Sequence, residues 1–227
     1  METILREVPN GRIEGSCDAG FMGVAREFEK NFREREEVGA SVCLTHEGRT
    51  VVDLWGGLAR PADGAPWQRD TVSIVFSCTK GAVALWAHVL ASRGKLDVDA
   101  PVSTYWPEFA RKGKENATVR MMLDHSVGVP AFKTPLRHGG CNDWGYMVEM
   151  LADEEPFWEP GIRNGYHMIN FGWTVGELVR RVAKKSLGAF FRDEIATPLG
   201  VEFWIGAPES VEPRIAPMRM YLPQPGD

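Results

Sequence analysis

The sequence predicts an α+β fold in which a helical lobe accompanies an antiparallel sheet. Residues 40–55 hold two β-prone runs joined by a short turn, which predicts an antiparallel hairpin. Residues 77–92 and 171–184 have the length and apolar spacing of helices. With 227 residues, of which 44% are hydrophobic, the chain can build one substantial core, so we predict a single domain over residues 1–227.

The N-terminal part of the chain predicts a helix followed by a hairpin. Over residues 18–36 apolar side chains recur at helical spacing while charged side chains fill the other side, which predicts an amphipathic helix. Two apolar, β-branched runs follow at residues 40–45 and 50–55. Residues 46–49 separate them, and Gly48 supplies the positive φ that a tight connection needs, so these runs predict a β-hairpin.

The middle of the chain predicts a helix that is entered from an extended segment. Residues 71–76 are β-prone and lead into a helix over residues 77–92, which Gly94 ends. Residues 95–165 are irregular and rich in Pro, Gly and Trp, and long uneven connections of this kind often form the walls of an active site. Further helices are predicted at residues 118–123, 143–152, 171–184 and 190–197.

Charge and hydropathy favour a small-molecule partner. The net charge of −5 and the isoelectric point near 5.6 give no reason to expect a nucleic acid or an anionic membrane as partner. The longest apolar stretch, residues 81–91, contains His88 and is too short to span a bilayer. Because the first residues show no basic region followed by a long apolar run, we expect no signal peptide and a cytoplasmic location.

The cysteines and histidines predict neither a metal site nor a disulfide framework. Four widely spaced cysteines form no C-x-x-C pair, so we expect reduced, mostly buried thiols. Cys78 is an alternative nucleophile, but no cysteine-protease signature surrounds it, and a small apolar filler is the preferred interpretation. His46, His88 and His125 lack metal-ligand spacing, so we expect structural or loop roles for them, no metal and no cofactor.

An S-x-x-K motif at residues 77–80 predicts nucleophilic chemistry. Three residues on a helix place Lys80 on the same face as Ser77, one turn away, so the amine and the hydroxyl can touch. A serine hydroxyl is a poor nucleophile until a neighbouring base takes its proton, and burial of Lys80 would favour the neutral amine that does so. The N–H of Ser77 at the helix N-terminus is a candidate oxyanion donor. The apolar neighbours expected to bury Lys80 are Ile74, Val75, Phe76, Ala82 and Val83.

The motif alone leaves alternatives open. An ordinary N-cap serine followed by a surface lysine fits residues 77–80 equally well. A second match at residues 92–95 straddles Gly94 at a helix end, where both side chains should be solvated, so we expect no chemistry there.

Several segments resemble the serine β-lactamase and penicillin-binding-protein-like family, in particular class C-type β-lactamases and family VIII carboxylesterases. The resemblance implies a β-lactamase/transpeptidase-like fold, with Ser77 as nucleophile, Lys80 as its activating partner and Tyr166 as general base and later proton donor. Residues 123–130 resemble the L-x-x-H-x-x-G-L-P loop of the family, with His125, Gly128 and Pro130 at its histidine, glycine and proline positions. The other matching segments are residues 76–85, 94–102, 105–109, 158–161 and 166–173.

The role that the resemblance implies for Tyr166 has a physical requirement. A phenol has a reference pKa of ~10, so it acts as a base near neutrality only when a cation such as Lys80 stabilises its phenolate. Tyr166 must therefore pack against the helix that begins at Ser77. The alternative is an ordinary half-buried tyrosine.

The sequence departs from the family pattern at two points. Met168 occupies the third position of the tyrosine motif, where β-lactamases often have asparagine, and this favours simple esters as substrates. The third family motif, a K-T-G or H-x-G triplet on a later strand, is missing, and residues 138–140 lie in a loop between the first two motifs. The resemblance runs from Phe21 onward but covers only about the first three-fifths of a family member, so the expected fold lacks the C-terminal strands. The open sheet edge must then be covered by the rest of the polypeptide, a separate chain or a second copy.

The expected function is a serine hydrolase that forms an acyl-enzyme on Ser77, most simply a carboxylesterase for small esters. A β-lactamase or D-Ala-D-Ala-type peptidase is the enzymatic alternative. A non-catalytic fragment or interaction module that needs a complementing C-terminal part is the alternative of another class. The expected partners are a small ester or β-lactam, and a homo-oligomer or a complementing C-terminal chain, with no nucleic acid and no membrane.

Overall fold

The computed structural model of the protein describes residues 1–219. These residues form two compact units: Met1–Ile74 with residues 207–219, and Val75–Gly206. The prediction of a single domain over residues 1–227 stays a prediction.

The first unit is a sheet with one helix. Its strands follow the order β1-β2-β4-β3, all antiparallel, and β5 pairs with the end of β4. The elements are β1 (Glu2–Val8), β2 (Gly11–Cys17), α1 (Met22–Glu34), β3 (Gly39–His46), β4 (Arg49–Arg60) and β5 (Ala65–Pro66).

The predicted helix and hairpin of this unit are confirmed. In α1 the buried side chains Ala25, Phe28 and Phe32 share a core with Val52 and Leu54 of β4. This spacing of three and four residues is the one that makes a helix amphipathic.

The β3–β4 hairpin closes on a two-residue turn, with His46 paired to Arg49. Glu47 and Gly48 have φ of 49° and 77°, the pair of positive values that a tight turn between twisted strands requires.

A second hairpin, β1–β2, lies at the N-terminus and was not predicted. Val8 pairs with Gly11, whose φ of 117° is a conformation that favours glycine. The Asn10-Gly11 dipeptide is a known hairpin signal, and it is the feature that sequence reasoning missed. In β1 only Ile4 and Val8 are buried, so the alternation that predicts a strand is weak.

Residues 71–76 are predicted to be β-prone, but only Val72 pairs with another segment. Val72 forms a single parallel bridge to Ile215, through hydrogen bonds with Arg214 and Ala216. A β-prone segment forms a strand only when a neighbouring strand can pair along its length. Here pairing is limited to Val72 and residues 214–216.

The second unit is helical, with a core built around two helices that pack on each other. Trp86 and Leu90 of the first share this core with Val175 and Leu178 of the second, and all four side chains are buried. The helices are α2 (Cys78–Ser92), α3 (Val119–Leu123), α4 (Trp144–Asp153), α5 (Phe171–Ala183), α6 (Leu187–Phe191) and α7 (Thr197–Leu199). The predicted helices at 77–92, 118–123, 143–152 and 171–184 are confirmed to within about two residues, a normal uncertainty for helix ends.

The helix predicted at residues 190–197 has a different form. It begins at Leu187, where Ser186 accepts a hydrogen bond from the Ala189 N–H as its N-cap. A π-helical turn, Arg192–Ala196, then joins α6 to α7.

The expectation of mostly buried thiols is wrong. Cys17 is buried in the sheet unit, whereas Cys43, Cys78 and Cys141 are exposed. Cys78 therefore does not fill a gap in the core. Within residues 1–219, no helix has both the length and the apolar character to cross a membrane.

Candidate active site

Ser77 lies at a sharp entry into α2. The backbone of Phe76 has φ of 41°, a left-handed conformation that is uncommon for an aromatic residue and is often found at functional sites. The chain then tightens, because the N–H groups of Cys78 and Thr79 donate to the carbonyls of Val75 and Phe76 at 3.1 and 3.0 Å. Ser77 itself is the exposed N-cap residue.

Lys80 reaches back to Ser77 as the motif predicts. Its Nζ donates to Ser77 Oγ at 2.9 Å and to the backbone oxygen of Met168 at 2.7 Å. One ammonium group thus joins the start of α2 to the segment that follows Tyr166.

Tyr166 completes a three-residue cluster. Its phenol interacts with Ser77 and then with Lys80, and these two interactions lower the pKa of the phenol below its ordinary value. The Lys80 Nζ also lies 4.9 Å from the centre of the tyrosine ring. The required packing of Tyr166 against the Ser77 helix is therefore present, although the tyrosine is 55% exposed.

The expectation that apolar neighbours bury Lys80 is wrong. Lys80 is only half-buried. Three of the five residues expected to enclose it are exposed: Ile74 and Phe76 by 61% each, and Val75 by 42%. Its surroundings are instead polar, since the ammonium contacts a hydroxyl, a phenol and a carbonyl.

His125 is a neighbour of this cluster that the sequence did not single out for chemistry. Its half-buried ring lies 5.1 Å from the Tyr166 ring and 4.9 Å from the Phe171 ring, measured between centres. Burial, and then the charge of Lys80, lower the pKa of His125, while Asp124 acts to raise it. The available signal was the H-x-x-G-x-P pattern of residues 125–130, which begins with this histidine.

Two buried side chains hold the segment behind Tyr166. His167 is 1% exposed, and its Nε2 accepts the Val129 N–H at 3.2 Å. Asn170 donates from Nδ2 to the Val129 oxygen at 3.0 Å. Burial lowers the pKa of His167 to about 4, so this imidazole is neutral and can accept at neutral pH.

The matched segments 123–130 and 158–161 lie against each other. The Phe157 N–H donates to the Gly128 oxygen at 2.8 Å, and the Trp158 indole donates to the Ser126 oxygen at 3.3 Å. Gly128 has φ of 88°, and a side chain there would come within 2.5 Å of the Trp158 oxygen. The motif glycine is thus required by both backbone conformation and close approach.

The other sequence candidates lie apart from these contacts. Ser92 ends α2 and donates from Oγ to the Val89 oxygen at 2.9 Å, and both Ser92 and Lys95 are exposed, as expected. Gly139, with φ of 71°, precedes a short turn in a loop, so residues 138–140 form no strand.

Comparison with known proteins places these features in a family. The family model described as Beta-lactamase matches residues 25–226. The chain is 36% identical over 211 residues to the "Esterase/beta-lactamase LipL" of Mycobacterium tuberculosis, an alignment that covers 92% of this chain and 49% of the relative. The chain spans about half the length of this curated relative.

Solved structures give the same result. The crystal structure of a family VIII carboxylesterase matches with a TM-score of 0.85 and 42% identity, over 91% of this chain and 57% of that one. A penicillin-binding protein homolog from Caulobacter crescentus matches with a TM-score of 0.84 and 37% identity, over 93% and 58%. The predicted β-lactamase/transpeptidase-like α+β fold is confirmed. The chain belongs to the beta-lactamase family.

Proposed function

We propose that this chain is a serine hydrolase that forms an acyl-enzyme on Ser77 and acts as a carboxylesterase on small esters. The observation that supports it is the clustering of three groups: the Lys80 ammonium lies 2.9 Å from Ser77 Oγ and 4.9 Å from the centre of the Tyr166 ring, and the phenol interacts with both residues. A nucleophile, a base and a cation that stabilises the base are the parts that acyl transfer requires.

Acylation follows from this arrangement. Tyr166, as phenolate stabilised by Lys80, takes the proton of Ser77 while Oγ attacks the ester carbonyl carbon. The carbonyl oxygen becomes an oxyanion, for which the Ser77 N–H at the start of α2 is a donor. When the tetrahedral intermediate collapses, the bond to the alcohol breaks and Tyr166 returns the proton to the leaving oxygen.

Deacylation repeats the sequence with water. Tyr166 takes a proton from the water that attacks the acyl carbon, and the same proton then passes to Ser77 Oγ as the carboxylic acid leaves. Lys80 supplies charge and position in both steps. No metal and no cofactor take part in this scheme.

Two features favour esters over β-lactams. At the third position of the tyrosine motif, the backbone oxygen of Met168 accepts from Lys80, while its thioether side chain is 69% exposed and offers no amide group. Exposed apolar side chains of Val75, Phe76 and Ile169 flank the cluster in sequence and suit an apolar acyl or alcohol group.

The test compares two substrates. We expect turnover of p-nitrophenyl butyrate that disappears in Ser77→Ala and persists in Ser92→Ala, the matched control at the second S-x-x-K match. Hydrolysis of nitrocefin without ester turnover would instead favour a β-lactamase or D-Ala-D-Ala-type peptidase, an alternative that the name of the M. tuberculosis relative supports. Ester turnover that survives in Ser77→Ala would contradict the proposal.

The remaining expectations stay proposals. A non-catalytic module is the alternative of another class, and it would show neither activity until a complementing C-terminal part is added. Small-molecule substrates are typical of the family, whereas a homo-oligomer, a complementing chain and a cytoplasmic location are predictions from the sequence alone.

A further inference from the structure

The position of Tyr166 is not set by its own burial. Tyr166 is 55% exposed, so burial alone does not fix its rotamer. A displacement of about 1 Å at a reacting group can cost about a hundredfold in rate, so something else must place this phenol against Ser77 and Lys80.

His125 contacts the chain on both sides of the tyrosine. Its backbone oxygen accepts the Gly165 N–H at 3.0 Å. Its ring Nδ1 accepts the His167 N–H at 3.2 Å. The residues on either side of Tyr166 therefore both donate a backbone hydrogen bond to one residue of the facing loop.

The backbone of His125 adopts a rare conformation to make these contacts. Its φ is 67°, in the left-handed region that few residues other than glycine enter. Such strain persists only where the surroundings impose it, and it clusters at functional sites. The ring packs 5.1 Å from the Tyr166 ring, so the same residue also contacts the side chain that it positions.

We propose that His125 is a positioning residue, which fixes Tyr166 against Ser77 and Lys80 by accepting the N–H groups of Gly165 and His167. This inference rests on the proposed function, because it assigns Tyr166 a part in the reaction. It adds a residue that touches neither the substrate nor the reacting atoms.

The proposal requires a neutral imidazole, since a protonated Nδ1 cannot accept a hydrogen bond. The titratable groups that face His125 are Lys80 on α2, Asp124 on its own loop, and Tyr166 and His167 on the opposite segment; α5 contributes Phe171, which does not titrate. Acidification adds a proton to Nδ1, breaks the bond to the His167 N–H and releases Tyr166.

The test uses three variants of the full chain. His125→Asn supplies an oxygen near the position of Nδ1, tolerates the left-handed conformation and does not titrate. His125→Leu keeps the bulk but removes the acceptor. His138→Leu is the matched control, because His138 is exposed and lies in the same unit.

The first readout does not depend on activity. Amide hydrogen exchange at His167, followed by NMR, should accelerate about tenfold in His125→Leu, the factor for one ordinary hydrogen bond. Protection should be retained in His125→Asn and in His138→Leu. Equal exchange rates in the wild type and His125→Leu would overturn the proposal.

The second readout is the rate at which a fluorophosphonate labels Ser77, measured against pH. We expect His125→Leu to react about a hundredfold more slowly at neutral pH, and His125→Asn to stay close to the wild type. Below the ordinary histidine pKa of 6.5, the wild-type rate should fall more steeply than the His125→Asn rate. Equal losses in both variants would indicate packing alone and overturn the proposal.

The two readouts together distinguish a failure of the proposed function from a failure of the proposed role of His125. If the wild type shows the protected His167 amide but never reacts with the probe, the proposed function fails while the contact between His125 and the tyrosine segment stands. If His125→Leu does not fold, His125→Asn still tests the proposal. A labelling rate that falls in acid as steeply in His125→Asn as in the wild type would contradict the proposed role.

Discussion

At the scale of single residues, hydrogen bonds rather than burial define the candidate site. Ser77 and Tyr166 are exposed, and Lys80 is half-buried. An exposed phenol is well solvated, so only direct contacts shift its proton equilibrium much. The contacts from Ser77 and Lys80 supply that shift.

Because Ser77 and Lys80 lower the pKa of the Tyr166 phenol, loss of either side chain should change that pKa. Ser77→Ala and Lys80→Met should each raise the pKa of the phenol, since each removes an interaction that favours the phenolate. In a titration followed by tyrosinate absorbance, the Tyr166 transition should move to higher pH in both variants. Tyr166→Phe identifies the transition by removing it.

The matched control for this titration is Lys95→Met, at the second S-x-x-K match, which should leave the Tyr166 transition in place. A transition that is unchanged in both Ser77→Ala and Lys80→Met would show that these residues do not contact the phenol in solution.

The residues of the site differ in how far the sequence predicts them. Ser77 and Lys80 follow from a local rule, because positions three apart on a helix are neighbours. Tyr166 comes from a distant segment, so only the resemblance to a family indicates it. The role of His125 depends on a left-handed backbone and on the meeting of two loops, and neither is encoded by spacing.

At the scale of elements, a buried carboxylate joins the helices of the second unit. Glu177 of α5 has no exposed surface and accepts hydrogen bonds from the Trp144 indole of α4 at 2.8 Å and from Arg180 and Arg181. Burial acts to raise the pKa of this carboxyl group, but hydrogen bonds, chiefly from Arg180 and then from Trp144 and Arg181, hold it below its ordinary value.

We predict that Glu177→Gln lowers the free energy of unfolding by about 2 kcal/mol at neutral pH, less than for a fully buried pair because the arginines are 48% and 24% exposed. The native carboxylate has a lowered pKa, so its contribution is present above the ordinary value of 4.5 and is lost as the pH falls below it. The difference between wild type and variant in urea denaturation should therefore shrink in acid.

Glu149→Gln is the control for this measurement, because Glu149 forms an ion pair with Arg111 in which both side chains are largely exposed. We expect little or no change in stability there, because exposed ion pairs contribute little. A Glu177→Gln variant as stable as the wild type, or a difference that grows in acid, would contradict the structural role of Glu177.

Elements with a strong periodic pattern could be predicted, and elements defined by their partners could not. The α1, α2 and α5 helices and the β3–β4 hairpin carry their own apolar spacing and turn residues. The strand β1 is mostly exposed, and residues 71–76 find a partner only at Val72, so pattern alone misjudged both.

At the scale of the whole molecule, the two edges of the sheet differ. Within residues 1–219, β1 pairs only with β2 and β3 only with β4. The β1 edge carries Glu2, Arg6 and Glu7, and charged side chains disfavour edge-to-edge pairing. The β3 edge has no Asp, Glu, Lys or Arg, and Leu44 is exposed there.

This asymmetry predicts association through β3. We expect the purified chain to form concentration-dependent oligomers in multi-angle light scattering, and we expect Leu44→Lys to shift them toward the monomer. Leu5→Lys, on the charged β1 edge, is the matched control and should have little effect. A wild type that is monomeric at every concentration, or equal effects of the two variants, would contradict this assignment of the edge.

The most direct test of the proposed function is the intact mass of the chain after incubation with a fluorophosphonate probe. An activated Ser77 predicts one covalent adduct in the wild type and in Ser92→Ala, and no adduct in Ser77→Ala. A folded wild-type chain that gains no mass, or an adduct that survives in Ser77→Ala, would contradict the proposal that Lys80 and Tyr166 activate this serine.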